Sequence, residues 1–157
     1  MALTSEYDNL IAEAASKYQV PFDWIKAVIG CESNFDAAAY RAEAAINDAS
    51  YGLMQVLYGT AKNLGYQGLP QGLLDPATNI DLGTKLLRQL IDRFGMMFEE
   101  IYSAYNSGAP RNYLTNPTVR AHVDNALSWL RKVQGQVASS APLLFALAGA
   151  LLLLARR

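Results

Sequence analysis

One carboxylate stands at a place in the sequence where an apolar residue is expected. Trp24, Ile25, Val28 and Ile29 recur at spacings of three and four, which marks one face of a helix. Glu32 comes four residues after Val28 and three after Ile29, on or beside that same face. A carboxylate turned toward a core is either paired or protonated, because burying it charged and alone is costly. A glutamate whose pKa is raised in this way suits a general acid working near neutral pH. The competing reading is a helix-end glutamate that swings out to water, and both remain open on spacing alone. Cys31 and His122 are the other pair of reactive types. With one cysteine and one histidine in the chain, neither an internal disulfide nor a metal site can be drawn, so no metal and no cofactor is expected. Cys31 reads as a small buried hydrophobe.

The elements that must position Glu32 are mostly helical. Thr4 or Ser5 is expected to cap a first helix, with Glu6 and Asp8 in its first turn. Tyr7, Leu10, Ile11, Ala14, Ala15 and Tyr18 give it one apolar face. Pro21-Phe22-Asp23 opens the helix that carries Glu32. Residues 37–50 have no clear period and read as a loop with, at most, short irregular strands. Residues 52–57 form a short apolar element, and 60–64 a short helix stopped by Gly65. Asp75-Pro76 starts a long helix with Ile80, Gly83, Leu86, Leu87, Leu90 and Phe94 inward, ended by Gly95. Phe98, Ile101, Tyr102 and Tyr105 form the next stripe, closed by Gly108 and Pro110. Asn116-Pro117 opens a last helix with Val119, Val123, Ala126, Leu127, Leu130 and Val133 inward. The fold class this predicts is mainly α, one compact helical domain with no strand-rich region.

Composition sets the outer bounds. At 157 residues, 52% of them hydrophobic, the chain can bury a real core in one domain. A net charge of −1 and the lack of a basic stripe argue against a nucleic-acid partner. Composition then shifts near Gly135, which divides the chain into a domain over 1–135 and a hydrophobic segment over 136–157. No charge interrupts the sequence from Val133 to Ala155. Counted from Val137, the run approaches the roughly 20 residues a bilayer span needs, so 137–155 is expected to meet a lipid membrane as a transmembrane helix. A core or oligomerisation helix is the competing reading. Arg156-Arg157 favour the cytoplasmic side and leave the main domain outside it. The N-terminal residues carry no basic region or apolar core of a signal peptide, so export is expected to depend on the C-terminal segment or on another carrier.

Three blocks then fall in order: Glu32-Ser33-Asn34-Phe35-Asp36, Ser50-Tyr51-Gly52-Leu53-Met54-Gln55, and Ala104-Tyr105-Asn106-Ser107-Gly108. Together they resemble the soluble-type lytic transglycosylase domain of the lysozyme-like superfamily, with goose-type lysozymes as distant relatives. Tyr18-Gln19-Val20-Pro21, Thr60-Ala61, Asp75-Pro76, Asn79-Ile80 and Gly83 agree with that resemblance, which covers roughly residues 7 to 130. Tyr58 and Ala37 stand where the family usually has proline. The stretch between Glu32 and Gly52 is a few residues longer than in compact members, with the insertion at Glu43-Ala44-Ala45-Ile46-Asn47 beside the expected cleft.

The resemblance implies a lysozyme-like fold and cleavage of the β-1,4 bond between N-acetylmuramic acid and N-acetylglucosamine in peptidoglycan. Glu32 would protonate the leaving oxygen, then accept the proton of the muramic 6-hydroxyl as that hydroxyl closes a 1,6-anhydro ring. Tyr105 would bond and orient the Glu32 carboxyl. Gln55 and Met54 would line the cleft, with Ser50 and Tyr51 beside them and Asn106 tying down the loop after the third block; Ser33 reads as a structural hydroxyl. Tyr51 and Tyr113 are candidate sugar-stacking faces. A hydrolysing muramidase, with Asp36 or Asp48 as base, is one alternative. A non-catalytic, membrane-anchored glycan-binding or structural protein is the other. The expected setting is a membrane-anchored domain facing the periplasm or cell wall. It would be carried by a bacteriophage virion, beside other virion or envelope proteins, to open the wall locally for genome delivery, or be tail-anchored in a bacterium.

Overall fold

The computed structural model describes residues 4–154, with side chains described through residue 136. Helix α1 spans Asp8–Tyr18 and α2 spans Phe22–Ser33. Strand β1 (Tyr40–Glu43), a short 3-10 turn (Ala44–Ile46), β2 (Asp48–Tyr51) and β3 (Val56–Leu57) follow. Helix α3 is Tyr58–Asn63, α4 is Pro76–Phe94, α5 is Phe98–Ser107 and α6 is Pro117–Leu154. The strands form one antiparallel sheet in the order β1-β2-β3.

The helices form where the apolar spacing requires. Ile25, Val28 and Ile29 of α2 and Val123 and Ala126 of α6 are completely buried, and these two helices pack on each other. The approach is close because Gly30 faces Trp129. A Cβ at Gly30 would stand 2.5 Å from the indole ring. The chain turns into α4 as expected: Asp75 caps it, its carboxylate accepting from the Thr78 N–H at 2.9 Å, which holds the acid below the usual carboxylate range. At the start of α6 the Asn116 side chain accepts from the Thr118 and Val119 N–H groups. Lys26 is buried on α2 because its ammonium reaches Asp8 of α1 at 2.6 Å.

Three expectations need correction. Neither Thr4 nor Ser5 caps α1. The Thr4 hydroxyl accepts from the Glu6 N–H in a turn that precedes the helix. The short helix begins two residues early, at Tyr58, because Asp48 reaches over from β2 to accept from the Gly59 N–H at 2.9 Å. Residues 37–50 are not a loop but the larger part of a β-hairpin, with Arg41 opposite Ser50 and Glu43 opposite Asp48. Four-residue strands broken by a 3-10 turn are too short to leave a clear alternation in the sequence. Helix α6 runs through Gly135 without a break. Among the described residues no helix is long and apolar enough to cross a membrane. The expected anchor over 137–155 lies outside the residues whose side chains are described.

Candidate active site

Glu32 occupies the last turn of α2, half-buried. The chain leaves the helix abruptly after Ser33. Asn34 and Phe35 both take left-handed backbone angles, φ 52° and 66°. That conformation is unfavourable for a bulky aromatic and persists only where surroundings impose it. The Phe35 ring is held edge-on against Trp129 at 5.9 Å. The Ser33 hydroxyl lies 2.8 Å from the Leu53 carbonyl and 3.2 Å from that of Ile29, tying the end of α2 to the turn before β3. Ser33 is therefore the structural hydroxyl its position suggested.

That turn, Gly52 to Gln55, forms the floor under the site. A Cβ on Gly52 (φ 69°) would meet the Leu73 carbonyl and the Asn79 amide at 2.7 Å, so only glycine fits there. Asn79 is completely buried on α4 and spends its amide on three backbone groups. Its Nδ2 donates to the Tyr51 and Leu73 carbonyls at 2.7 and 2.8 Å, and its Oδ1 accepts from the Met54 N–H at 2.7 Å. Gly83 sits under Met54 for the same reason of space.

The Glu32 carboxyl receives a hydrogen bond from the Tyr102 hydroxyl at 2.7 Å. The same phenol oxygen lies 3.1 Å from Cys31 Sγ. Asn125 of α6 donates to Cys31 Sγ at 3.2 Å. Tyr102, Cys31 and Asn125 thus form one hydrogen-bonded cluster behind Glu32. Burial is the largest influence on Glu32 and raises its pKa above the ordinary glutamate value. The Tyr102 bond and the Arg41 charge pull it down, and the Glu43 charge pushes it up. Burial and the neighbouring Glu32 charge push the Tyr102 phenol far above its usual range, so it remains a donor. Burial lifts the Cys31 thiol to about 11, which leaves it a thiol and no nucleophile near neutral pH. Its contact with His122 is to the backbone carbonyl, not the imidazole.

The predicted residues divide on this geometry. Glu32 is where the apolar stripe put it. Tyr105 does not bond the carboxyl. Its hydroxyl donates to the Met54 carbonyl at 2.7 Å, and Tyr102, one turn earlier on α5, takes the contact with Glu32. Met54 is fully buried and lines no cleft; it packs the floor. Gln55 (φ 47°) turns its amide back onto the carbonyls of Gly52 and Ala39, at 3.0 and 3.2 Å, and braces the hairpin. Ser50 is buried and donates to Glu43 Oε1 at 3.1 Å, not to Glu32. Asn106 is half-buried on α5 without a hydrogen bond among the described residues. The loop beyond is tied instead by Ser103, which donates to the Ala109 carbonyl at 2.8 Å. Tyr51 pairs edge-on with Tyr40 at 5.3 Å, making a two-ring surface of which Tyr40 is 60% exposed. Tyr113 carries the Arg120 guanidinium over its ring at 5.6 Å. Asp36 accepts from the Ala38 N–H and Asp48 from Gly59, so both acids are used in turns.

Four residues escaped the sequence reading: Tyr102, Asn79, Arg41 and Glu43. A tyrosine inside a buried stripe needs a partner for its hydroxyl, which was the available signal for Tyr102. Among the described residues no group of three or more His, Cys, Asp or Glu side chains converges as a metal site requires. A separate open groove of about 670 Å³ lies between α1, the end of α3 and α4, lined by Leu10, Lys17, Tyr66 and Asp81 among others, and does not include Glu32.

Comparison with known proteins now bears on this site. The family described as "Transglycosylase SLT domain" matches residues 9–124. In three dimensions the chain is similar to the lytic transglycosylase Slt of Pseudomonas aeruginosa, solved as an inactive glutamate-to-glutamine mutant, with a TM-score of 0.73 and 23% identity over 87% of this chain and 25% of that one. It is similar to the 70 kDa soluble lytic transglycosylase of Escherichia coli, with a TM-score of 0.75 and 23% identity over 86% of this chain and 25% of that one. A third structure, the 70 kDa soluble lytic transglycosylase in complex with bulgecin A, gives 0.59 and 25% identity over 82% and 21%. The chain thus spans about a quarter of the length of the first two proteins.

Proposed function

This chain belongs to the transglycosylase SLT domain family, and from that premise we propose that it is a lytic transglycosylase of peptidoglycan. The observation that carries the reading is the enclosed Glu32 carboxyl, held above its ordinary pKa by burial and gripped by Tyr102. A glutamate raised in this way is the better proton donor near neutral pH. It gives its proton to the oxygen between muramic C1 and the leaving glucosamine as the C1–O bond breaks and positive charge develops on the ring. The resulting carboxylate takes the proton of the sugar's own 6-hydroxyl while that oxygen bonds to C1. The products are a free glucosamine 4-hydroxyl and a 1,6-anhydromuramic end, and Glu32 is protonated again. Tyr102 serves both stages by donating to a carboxyl that alternates between acid and base.

The use of Asp36 and Asp48 in turns removes support from the hydrolytic alternative in the form it took above. The test is digestion of purified sacculi with mass analysis of the muropeptides. Anhydro ends are one water lighter than the reducing ends a muramidase leaves. Glu32→Gln should abolish release, as a glutamate-to-glutamine change does in the Pseudomonas relative. Release that survives this change would sink the assignment, and loss of release with glycan binding retained excludes the purely structural alternative.

The setting is part of the same proposal. The apolar run of 137–155 supports attachment of the C-terminal segment to a lipid bilayer, with the catalytic domain toward the wall. Delivery by a phage particle belongs to the same reading. Co-flotation of the full chain with liposomes, lost on deleting 137–155, is the expected result for attachment. Detection of the chain in purified particles is the expected result for delivery.

A further inference from the structure

The two ends of α2 have different neighbours. At the C-terminal end Glu32 meets Tyr102 of α5, and Cys31 meets Asn125 of α6. At the N-terminal end Trp24 packs edge-on against Phe98, the first residue of α5, with ring centroids 5.2 Å apart. There the Asp23 carboxylate also accepts from the Gln134 amide at 2.7 Å. Contacts along α6 thus run from Asn125 on Cys31, through Trp129 on Gly30, to Gln134 on Asp23. The two helices are antiparallel. Helix α6 therefore passes the start of α2 and goes on, still helical, into the apolar run from Val137. At 1.5 Å per residue, Glu32 lies about 15 Å further along α2 than Phe22, away from the end where α6 departs.

That departing end carries an exposed apolar turn. Helix α4 ends at Phe94, and Gly95, Met96 and Met97 lead into Phe98. Because Phe98 lies on Trp24, the turn stands at the end of the domain from which α6 leaves. Met96 is 60% exposed and Met97 52%. The backbone of the turn is fixed, since the Met97 carbonyl accepts from the Ile101 N–H at 3.0 Å. Exposed cations stand at the same end: Arg93, with its guanidinium 5.0 Å over the Phe94 ring, and Arg131 and Lys132 on α6. Of the acids nearby, Asp23 is bonded by Gln134, Asp92 pairs with Arg88 and Glu100 with Arg111, which leaves Glu99.

We propose that the Met96–Met97 turn is a second contact with the bilayer surface, its two side chains entering the boundary between headgroups and acyl chains beside the point where α6 arrives. This rests on the reading of 137–155 as a bilayer attachment. Two methionines are far too little surface for a stable protein interface, which takes about 800 Å² from each partner. A membrane already tethered through α6 needs much less, because the tether makes the second contact intramolecular. Flexible apolar side chains flanked by Arg and Lys suit an interface with anionic headgroups. A single helix would let the domain tilt and swivel. A contact beside it fixes the orientation and holds Glu32 on the side away from the lipid, facing the wall.

Met54 supplies an internal control, being completely buried under the Glu32 end. The full chain, 13C-labelled at its methionine methyls, is placed in nanodiscs of phosphatidylethanolamine and phosphatidylglycerol doped with a gadolinium-headgroup lipid. The Met96 and Met97 resonances, assigned by Met96→Leu and Met97→Leu, should be broadened several-fold more than that of Met54. Exchange of phosphatidylglycerol for phosphatidylcholine should lessen the effect. Equal broadening at all three, or strongest broadening at Met54, overturns the proposal. So do Met96 and Met97 methyls that stay sharp and shift as more chains are loaded per disc, which would put a second copy on the turn. Co-flotation of the full chain with liposomes separates the two failures. A chain that floats with Met96 and Met97 unbroadened loses the second contact alone, and a chain that does not float loses the attachment and the contact with it.

Discussion

The helical side of the site and the sheet side treat water in opposite ways. On the helical side Ile25, Val28, Ile29 and Ile101 are completely buried, and even the reactive types Cys31 and Tyr102 are held in a hydrogen-bonded cluster. On the sheet side Tyr40 is 60% exposed, and the Arg41 and Glu43 side chains stay 60% and 26% accessible. The helices supply an enclosed carboxyl by taking it out of water. The hairpin keeps its charged and aromatic groups at the surface and fixes them through the backbone register of β1 and β2. One wall encloses the carboxyl and the other stays open to solvent.

The sharpest way to break this contrast is at its centre. Glu32→Gln should lower glycan release about 10³-fold, in line with removal of a general acid–base. It should also raise Tm at neutral pH. The sign follows from the raised folded-state pKa. Such a group favours folding below the ordinary glutamate range, and that contribution is lost as pH rises through its folded value. The gain in Tm should therefore shrink on acidification, and melting curves across pH check it. Asn79→Ala comes next, because it strips partners from two carbonyls and one N–H at once. A loss of about 3 kcal/mol in chemical denaturation is expected, with the floor beneath the hairpin as the first part to exchange amide protons. Tyr102→Phe should cost about 2 kcal/mol of transition-state stabilisation, some 30-fold in rate, with little loss of stability. Tyr105→Phe is the smallest, about 1 kcal/mol of stability from the lost bond to Met54, with the rate nearly kept. If Tyr105→Phe slows the reaction more than Tyr102→Phe, the assignment of the two tyrosines is reversed.

The same contrast explains what could be read from the sequence. The helical side was legible because its period is long: α2, α4 and α5 each repeat an apolar stripe over several turns, and Asp75-Pro76 and Gly95 mark the ends of α4. The position of Glu32 on such a stripe raised it as a candidate, and the three ordered blocks singled it out. Within α5 the choice of Tyr105 came from the resemblance of the Ala104-Tyr105-Asn106-Ser107-Gly108 block, while the apolar stripe contains Tyr102 as well and does not separate the two. The sheet side was hidden because strands of four and two residues carry no statistics, and because its registry depends on contacts distant in sequence, such as Asn79 with Met54. Glu43 stood out only as part of an insertion. Its partner Arg41 lies in the same stretch, but nothing local says that the two pair.

The neck of the hairpin has a consequence of its own. The Ala39 carbonyl accepts from both the Gly52 N–H at 2.8 Å and the Gln55 amide at 3.2 Å, so the two ends of residues 40–51 are clasped where they leave the domain. A segment closed at its base is modular. Lengthening it adds only the slow logarithmic cost of a larger loop, about 0.6 kcal/mol per doubling, and transmits no displacement to Gly52 or to Ser33. A change of length above the clasp is therefore expected to leave the end of α2, and Glu32 with it, where it is.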